Sequence, residues 1–317
     1  MTRLSYAVIT PAHNEAGFLP EVIRGMAEQT FRPVRWIIVD DRSTDRTREI
    51  IAEAARKYDF IKPVTMTGDP ARRLGANVVH VFNHGLALLD IKVDIIVKMD
   101  ADAFLPRTYF AFLLDKFESD PHLGVVSGKM FYYEKGHWVM ERYSDMHVPG
   151  LCKVYRYACF QNIGGLIPIL GWDILDVAKA RMLGWAVHSY AAMPLFHLRQ
   201  MGLAMGIMKT HLSYGHCVYA LQTHPLFVLG RAVYRAMEKP YLSGLLMVWG
   251  YLAAALKKEP RLGDLELVRF MRREQLRRIS GKTIAHERIA VRSLEEIGHP
   301  PPEIAPDLLA RLCRAGT

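Results

Sequence analysis

Short apolar runs alternate with amphipathic segments along the first hundred residues of the chain. The runs at residues 4–10, 34–39 and 93–99 predict strands, and the segments between them have the spacing of amphipathic helices. This alternation predicts βαβ units and a parallel sheet. A fourth run, residues 61–66, contains Pro63, which has no backbone N–H to donate to a neighbouring strand. We therefore expect this strand to be short or to lie near an edge of the sheet.

The same patterns predict the remaining helices and strands. The helix after the second strand begins with Ser43 or Thr44 as its N-cap and has Asp45 in its first turn. Further helices are predicted at residues 78–89, 107–117 and 173–183, a strand at residues 124–132, and apolar segments at residues 186–190 and 193–197. After about residue 215 the pattern becomes helical, with helices at residues 222–237, 241–256 and 265–279.

Polar residues follow three of the predicted strands at the point where each strand ends. They are His13-Asn14-Glu15, Asp40-Asp41-Arg42-Ser43 and Asp100-Ala101-Asp102. The carboxyl ends of parallel strands meet at one edge of an open sheet, where ligands bind, so these groups should converge. The pair at residues 40 and 41 has two interpretations: one carboxylate binds a nucleobase, or both belong to an ordinary Asx-turn and helix cap. The chain has no GxGxxG sequence, which argues against a nicotinamide enzyme.

Two further pairs of carboxylates are candidates for chemistry. Asp100 and Asp102 can share a hard divalent cation that also holds a diphosphate, because such ions prefer oxygen ligands. Asp173 and Asp176 lie one turn apart on the same face of a predicted helix. Alternatively, this second pair only complements the positive end of the helix dipole.

Four blocks of the sequence, taken in order, resemble family 2 glycosyltransferases of the GT-A fold. The blocks are ITPAHNEAGFLPEVIRGMAEQTFRPVRWIIVDDRSTDRTREI, VDIIVKMDADAFLPRTYF, IGGLIPILGWDILDVAKARMLGW and LFHLRQMG, and they cover about residues 4–205. The resemblance implies an α/β fold with a mainly parallel sheet flanked by helices. It also implies an inverting enzyme that uses Mn²⁺ or Mg²⁺ and a UDP-, GDP- or dTDP-linked sugar as donor.

The resemblance also implies roles for individual residues. The expected nucleotide-sugar site comprises Pro11, Ala12, Asn14, Glu15, Asp40, Asp41, Asp100 and Ala101, with the aspartates at 40 and 41 near the base. The expected metal ligands are Asp102, His197 and Asp100, and an imidazole beside carboxylates suits Mn²⁺ better than Mg²⁺. Arg72 and Arg73 could close over the diphosphate because guanidinium groups match phosphate oxygens, and a solvated loop is the alternative.

The expected general base is Asp173, with Asp176 as the second candidate. Family members commonly carry an acidic pair before this helix, whereas this chain has Trp172 at the position of the first acid. Asp173 would take the proton from the acceptor hydroxyl as that oxygen attacks the anomeric carbon, and a single displacement inverts the configuration. Gly164 and Gly165 match the turn below the acceptor pocket, where a missing Cβ lets the backbone approach the sugar.

The basic excess of the chain is concentrated towards its C-terminal end. The formal net charge is +9, and residues 257–292 contain 11 Lys and Arg against 5 Asp and Glu. The apolar segment 241–256 lies just before this basic helix, as in an interfacial membrane anchor, although a buried helical cap would be equally apolar. We therefore predict a GT-A domain at residues 1–215 and a helical region at residues 216–317 that contacts an anionic membrane surface.

Three functions remain open at this point. The N-terminal residues do not resemble a signal peptide, so we expect a cytoplasmic protein at the inner face of the cell membrane. No nucleic-acid-binding module is recognisable, so we expect no nucleic acid as a partner. The preferred function is transfer to a hydroxyl of a glycan or polyprenyl-linked glycolipid in surface-polysaccharide assembly. The alternatives are synthesis of a polyprenyl-phosphate sugar, whose phosphate acceptor needs no base, and nucleotide-sugar binding without turnover.

Overall fold

A computed structural model describes residues 3–67, 76–199, 207–237, 241–281 and 291–315 of the 317-residue chain. The first part of the chain forms β1 (Tyr6–Ala12), α1 (Leu19–Ala27), β2 (Arg35–Asp40), α2 (Thr47–Lys57), β3 (Ile61–Thr65), α3 (Asn77–Ala87), β4 (Ile95–Met99), β5 (Ala103–Phe104) and α4 (Tyr109–Ser119). The middle part forms β6 (Leu123–Glu134), β7 (His137–Met140), β8 (Cys152–Arg156), α5 (Tyr157–Asn162), α6 (Trp172–Met182) and β9 (Ala186–His197). The last part forms α7 (Ile207–Ala220), α8 (Pro225–Met237), α9 (Ser243–Leu256), α10 (Leu265–Ile279) and α11 (Pro306–Ala315).

The strands of the described residues form one nine-stranded sheet in the order β3-β2-β1-β4-β8-β6-β9-β5, with β7 beside β6. β1 is parallel to β2 and β4, and β2 is parallel to β3, which confirms the predicted parallel arrangement. β3 lies at the edge of the sheet, in agreement with the position of Pro63. The second half of the sheet is mixed, because β8 is antiparallel to β4 and β6 while β6 and β9 are parallel.

Helices cover both faces of the sheet, and neighbouring residues of its central strands belong to different cores. On β1, Tyr6 and Val8 pack with α1, α2 and α4, whereas Ala7 and Ile9 pack with α3, α5 and α6. All four residues are fully buried. Burial on both faces explains why these strands are continuous apolar runs rather than alternating sequences.

Some boundaries differ from the prediction. α2 begins at Thr47, so the predicted N-cap at Ser43 or Thr44 is wrong. Both residues instead form hydrogen bonds with Asn14. Ser43 Oγ accepts a hydrogen bond from the backbone N–H of Asn14 at 3.0 Å, and the backbone N–H of Thr44 donates to Asn14 Oδ1 at 2.8 Å. The Asp45 carboxylate accepts from the Thr47 N–H at 3.0 Å. The two apolar segments predicted after α6 form the single strand β9, with a register shift within it.

The C-terminal third is helical, and its last segment returns to the sheet. α9 packs on α7 and α8, and α10 packs on α6 in a cluster that contains Leu267 and Met271. Leu294 and Leu308 belong to the same core as β1, and α11 is an additional helix that the sequence pattern does not predict. The predicted domain division after residue 215 falls inside α7. Within the described ranges, no helix is long and apolar enough to cross a bilayer.

Candidate functional site

A pocket of about 240 Å³ lies where β1, β2 and β4 end. It is lined by Pro11, Ala12, His13, Glu15, Asp41, Asn77, Val78, Val81, Asp100, Ala101, Asp102 and His197. Eight of these residues are site candidates from the sequence alone. The shared direction of the three strands brings these groups together, since the carboxyl ends of parallel strands meet at one edge.

Asp41 faces the pocket on the β2 side and is almost completely buried, at 2% exposure. The side-chain amide of Asn77, in the first turn of α3, donates to Asp41 Oδ2 at 2.6 Å, and Arg42 also contacts this carboxylate. His13 Nδ1 donates to the backbone carbonyl of Asp41 at 2.7 Å. These contacts fix the carboxylate against the ends of β1 and β2. Asn77 is not predicted from the sequence, because it has no neighbouring polar residues that would distinguish it.

Asp40 has a different environment although it is adjacent in sequence. Its carboxylate accepts hydrogen bonds from the backbone N–H of Ser43 and from Nε of Arg48, both at 3.1 Å. It is buried and does not line the pocket. Of the two interpretations of this pair, the turn-stabilising one describes the contacts of Asp40, and only Asp41 is available to a ligand.

A bridge of charged groups lies on the β4 side of the pocket. The Arg199 guanidinium joins two carboxylates: Nε donates to Asp102 Oδ2 at 2.8 Å, and a terminal nitrogen contacts Glu15 Oε2. Burial raises the pKa of Glu15 to about 8; the charge of Asp102 increases this effect and Arg199 opposes it. Arg199 is not predicted from the sequence, although it lies within the LFHLRQMG block two residues after His197.

Asp102 and His197 form a pair at the same side of the pocket. β5 and β9 bring them together, because Ala103 pairs with His197 in the sheet. His197 Nε2 lies 3.4 Å from Asp102 Oδ2, whereas His197 Nδ1 is buried without a hydrogen-bond partner. Burial opposes ionisation of Asp102, but the hydrogen bonds and charges of His197 and Arg199 outweigh it and lower the pKa of this carboxyl. Asp102 is therefore ionised at neutral pH.

Asp100 is held by a buried lysine. Lys98 Nζ contacts the Asp100 carboxylate and donates to the backbone carbonyl of Gly150 at 2.6 Å. Burial raises the pKa of Asp100, and the neighbouring charge of Lys98 opposes this effect. The two carboxylates of the Asp-Ala-Asp sequence therefore have different partners, Lys98 for one and His197 with Arg199 for the other.

Trp172 is the first residue of α6, and its ring lies close to two buried ammonium groups. Lys98 Nζ is 5.0 Å and Lys153 Nζ is 5.3 Å from the centroid of the ring. The two lysines are direct neighbours on the paired strands β4 and β8. An aromatic face attracts cations, so the ring helps to stabilise the two buried lysines. A lone Lys inside the apolar run 95–99 is the sequence signal that could have identified this cluster.

Asp173 lies in the first turn of α6 and is half-buried. Its carboxylate lies beside Gly150, where an added Cβ would stand 3.6 Å from Asp173 Oδ2. Burial raises the pKa of Glu141, and the nearby charge of Asp173 adds to this effect while that of His197 opposes it. Asp173 and His197 are thus both close enough to influence the same carboxyl group.

Asp176 has a structural environment inside the domain. Its carboxylate is 4% exposed and accepts hydrogen bonds from Lys153 Nζ at 2.7 and 2.8 Å and from the Tyr155 hydroxyl. Lys153 Nζ also donates to the backbone carbonyl of Asp173 at 2.6 Å. These contacts tie α6 to β8. Neither Asp173 nor Asp176 lines the pocket, and Asp173 is the more exposed member of the pair.

Asp176→Asn is expected to destabilise the fold by about 3–5 kcal/mol, because it leaves the Lys153 ammonium buried without a compensating charge. The free energy of unfolding, measured by denaturant titration, tests this. The matched control is Asp90→Asn, which removes the exposed partner of Lys62 and should cost less than about 1 kcal/mol. Equal losses for the two variants would contradict the structural role of Asp176.

The remaining predicted residues do not line the pocket. Asn14 has a positive φ of 56°, and its side chain bonds to the segment before α2. Gly164 and Gly165 follow the end of α5, each with φ of 76°, a backbone conformation that favours glycine. Arg72 and Arg73 lie outside the described residues. The expected contacts of these residues with a donor or acceptor stay predictions.

The chain is similar in sequence to known glycosyltransferases. The sequence profile described as "Glycosyl transferase family 2" matches residues 7–172. The chain is 30% identical over 215 residues to a probable glycosyltransferase, YdaM, of Bacillus subtilis (strain 168), and the alignment covers 61% of this chain and 48% of that protein. The chain thus spans about half the length of this curated relative.

Two solved structures show the same architecture. Mannosyltransferase PcManGT from Pyrobaculum calidifontis, in complex with GDP-Man and Mn²⁺, has a TM-score of 0.55 and 19% identity over 88% of this chain and 86% of that one. GalNAc-T7 with UDP, GalNAc and Mn²⁺ has a TM-score of 0.57 and 14% identity over 88% of this chain and 58% of that one. These likenesses confirm the GT-A fold. With its profile match over more than half of the sequence, the chain belongs to glycosyl transferase family 2.

Proposed function

We propose that the protein is an inverting glycosyltransferase that moves a sugar from a nucleotide-diphosphate sugar to a hydroxyl group. The observation that carries the proposal is the Asp102–His197 pair in the same pocket as Asp41. Asp41 follows β2 and Asp102 follows β4, and β1 lies between these strands. Two strand spacings correspond to about 10 Å, a distance that a nucleoside diphosphate can bridge. One side of the pocket would bind the base and the other the diphosphate.

The residues on the β4 side fit a divalent cation. Asp102 is ionised, and His197 Nε2 lies 3.4 Å from its Oδ2, so a carboxylate and an imidazole nitrogen lie side by side as possible ligands. Among the described residues, no group of three His, Cys, Asp or Glu side chains could hold a metal ion. Oxygens of the donor diphosphate would therefore complete the ligand set. Bound Mn²⁺ or Mg²⁺ would neutralise charge on the leaving diphosphate.

Arg199 has a second role in this proposal. Its guanidinium binds both Asp102 and Glu15, so a cation at Asp102 must share or replace that contact. A guanidinium released from a carboxylate is well suited to the phosphate oxygens of the donor. The same positive charge would then stabilise the carboxylates before donor binding and the diphosphate afterwards.

Asp173 is the proposed general base. It would accept the proton of the attacking hydroxyl from its place in the first turn of α6. The new bond forms between the acceptor oxygen and the anomeric carbon as the bond to the diphosphate breaks, so a single step inverts the configuration. This role supports a hydroxyl acceptor over a lipid phosphate, since a phosphate oxygen carries no proton that must be removed at neutral pH.

The acceptor that we propose is a glycan or polyprenyl-linked glycolipid of surface-polysaccharide assembly, at the inner face of the cell membrane. The support is the combination of an apolar segment, 241–256, with a basic C-terminal region. Synthesis of a polyprenyl-phosphate sugar is the second candidate, because the same lipid surface would serve it. Dependence of turnover on Asp173 distinguishes the two.

Nucleotide binding tests the proposal directly. A ligand that binds only the native state stabilises it by about 2.7 kcal/mol at 100 times its Kd, which corresponds to a rise in Tm of about 5–10 °C. We expect such a rise for one of UDP, GDP, dTDP or their sugar conjugates, and a smaller rise without Mn²⁺. Asp41→Asn should reduce the rise, whereas Asp90→Asn, on the exposed surface, should preserve it. No shift with any nucleotide would overturn the proposal.

A further inference from the structure

Large apolar side chains are exposed along one line of α8 and one line of α9. On α8 they recur at the i, i+3 and i+4 spacing of a single helix face: Leu226, Leu229, Val233 and Met237. Along α9 and its N-cap the same spacing gives Leu242, Leu245, Trp249, Leu252 and Leu256. We call these nine residues the outer stripes. Met237 is 74%, Trp249 66% and Leu256 85% exposed, so large apolar surfaces face outwards.

Small residues make the contacts between these helices. A Cβ on Gly244 of α9 would lie 2.1 Å from the carbonyl oxygen of Ala232 on α8. On the other side of α9, a Cβ on Gly250 would lie 2.2 Å from the carbonyl oxygen of Leu212 on α7, and one on Gly215 would lie 2.2 Å from that of Met247. The three helices therefore approach one another backbone to backbone.

This arrangement is the reverse of a helical bundle built for water. In water, large apolar side chains fill the interface between helices and polar side chains cover the outside. Here glycine and alanine make the closest contacts, beside a small buried cluster of Val218, Val228 and Met247, while most of the large apolar side chains of α8 and α9 form the outer stripes. Close helix contacts through small residues, with large apolar residues facing outwards, are typical of helices surrounded by lipid. An exposed apolar surface of this extent indicates an interaction site.

The net positive charge of residues 207–258 indicates that the lipid is anionic. Residues 207–258 contain six Lys and Arg but only one acidic residue, Glu238. Lys257 and Lys258 directly follow Leu256, the last residue of the outer stripes, and both are exposed. Basic side chains that flank an apolar helix are attracted to the negative headgroups of a bilayer. In a symmetric dimer through this face, the same basic residues would instead repel one another.

We propose that the outer stripes of α8 and α9 lie on the surface of an anionic lipid bilayer. The helices would rest in the interface and not cross it, because the 14 residues of α9 extend about 21 Å, less than the hydrocarbon thickness of about 30 Å. α10, whose basic sequence first indicated membrane contact, packs on α6 and is further joined to it by the Arg181–Glu274 ion pair. α10 also contacts α8, so it links the membrane-facing helices to α6. The inference does not depend on the transfer reaction.

Vesicle flotation tests the docking surface with the full chain. The wild-type protein should float with phosphatidylcholine vesicles that contain 30 mol% phosphatidylglycerol, and salt should weaken this binding. The variant Leu245→Ser/Trp249→Ser/Leu252→Ser should bind at least tenfold more weakly. The matched control, Val34→Ser/Leu88→Ser/Leu183→Ser, removes exposed apolar side chains elsewhere on the chain and should bind as the wild type does.

Fluorescence locates the contact. Trp249 emission should shift to the blue when anionic vesicles are added, and Trp249→Phe should remove that shift while the protein still floats. Wild-type protein that remains unbound with anionic vesicles, or a stripe variant that floats as well as the control, would overturn the proposal. So would a wild-type dimer that the stripe variant converts to a monomer in sedimentation velocity. The Tm rise with nucleotides should be equal in the stripe and control variants, so a failure of membrane binding is distinguishable from a failure of nucleotide binding.

Discussion

Replacement of Asp173 by asparagine is expected to lower kcat for sugar transfer by about 10²–10⁴-fold, the usual contribution of a general base. Asparagine has the same shape but cannot accept the proton of the attacking hydroxyl. Affinity for the donor should hardly change, because an interaction used only in the transition state affects kcat and not ground-state binding. Steady-state transfer kinetics and calorimetric titration with the nucleotide sugar measure the two quantities separately.

The neighbouring position provides the control for this experiment. Ile174→Ser changes an exposed residue of the same helical turn and should retain wild-type turnover. A Tm equal to that of the wild type would show that α6 still packs in the Asp173→Asn variant. Undiminished transfer to a hydroxyl acceptor would remove Asp173 from the mechanism. Undiminished transfer only to a lipid phosphate would instead favour the polyprenyl-phosphate alternative.

The sheet was predictable from the sequence because its central strands are buried on both faces. Their apolar runs are continuous, and the polar residues at their ends interrupt them clearly, so the order of strands and helices follows from local pattern. Pro63 likewise indicated an edge. The mixed half of the sheet was harder to predict, because β8 pairs with β4 and β6, and these pairings join segments far apart in the chain.

In the site, too, residues marked by the local sequence pattern were predictable, and residues defined by contacts between distant segments were not. Asp41 and Asp102 follow the ends of β2 and β4, so strand position alone places them near one another. His197 was expected only from the family resemblance, and the pairing of β5 with β9 brings it to Asp102. Arg199 and Lys153 were not predictable, because their importance comes from partners that only the fold brings close. Asp173 and Asp176 are indistinguishable by spacing. The buried lysine on β8 separates them, since it binds one carboxylate and leaves the other in the first turn of α6.

Replacement of Asp102 by asparagine is expected to abolish the Mn²⁺-dependent part of donor binding and to lower kcat/KM by about 10³-fold, because a metal ion contributes several kcal/mol of charge stabilisation. Asparagine keeps an oxygen that can accept from Arg199, so the fold should survive. Binding of the free nucleoside at Asp41 should be unaffected.

Arg199→Ala provides the contrast. It releases Asp102 from its ion pair and should preserve the Mn²⁺ dependence of donor binding while weakening binding of the diphosphate. A Tm rise with nucleotide that responds to Mn²⁺ equally in the wild type and in the Asp102→Asn variant would place the cation elsewhere.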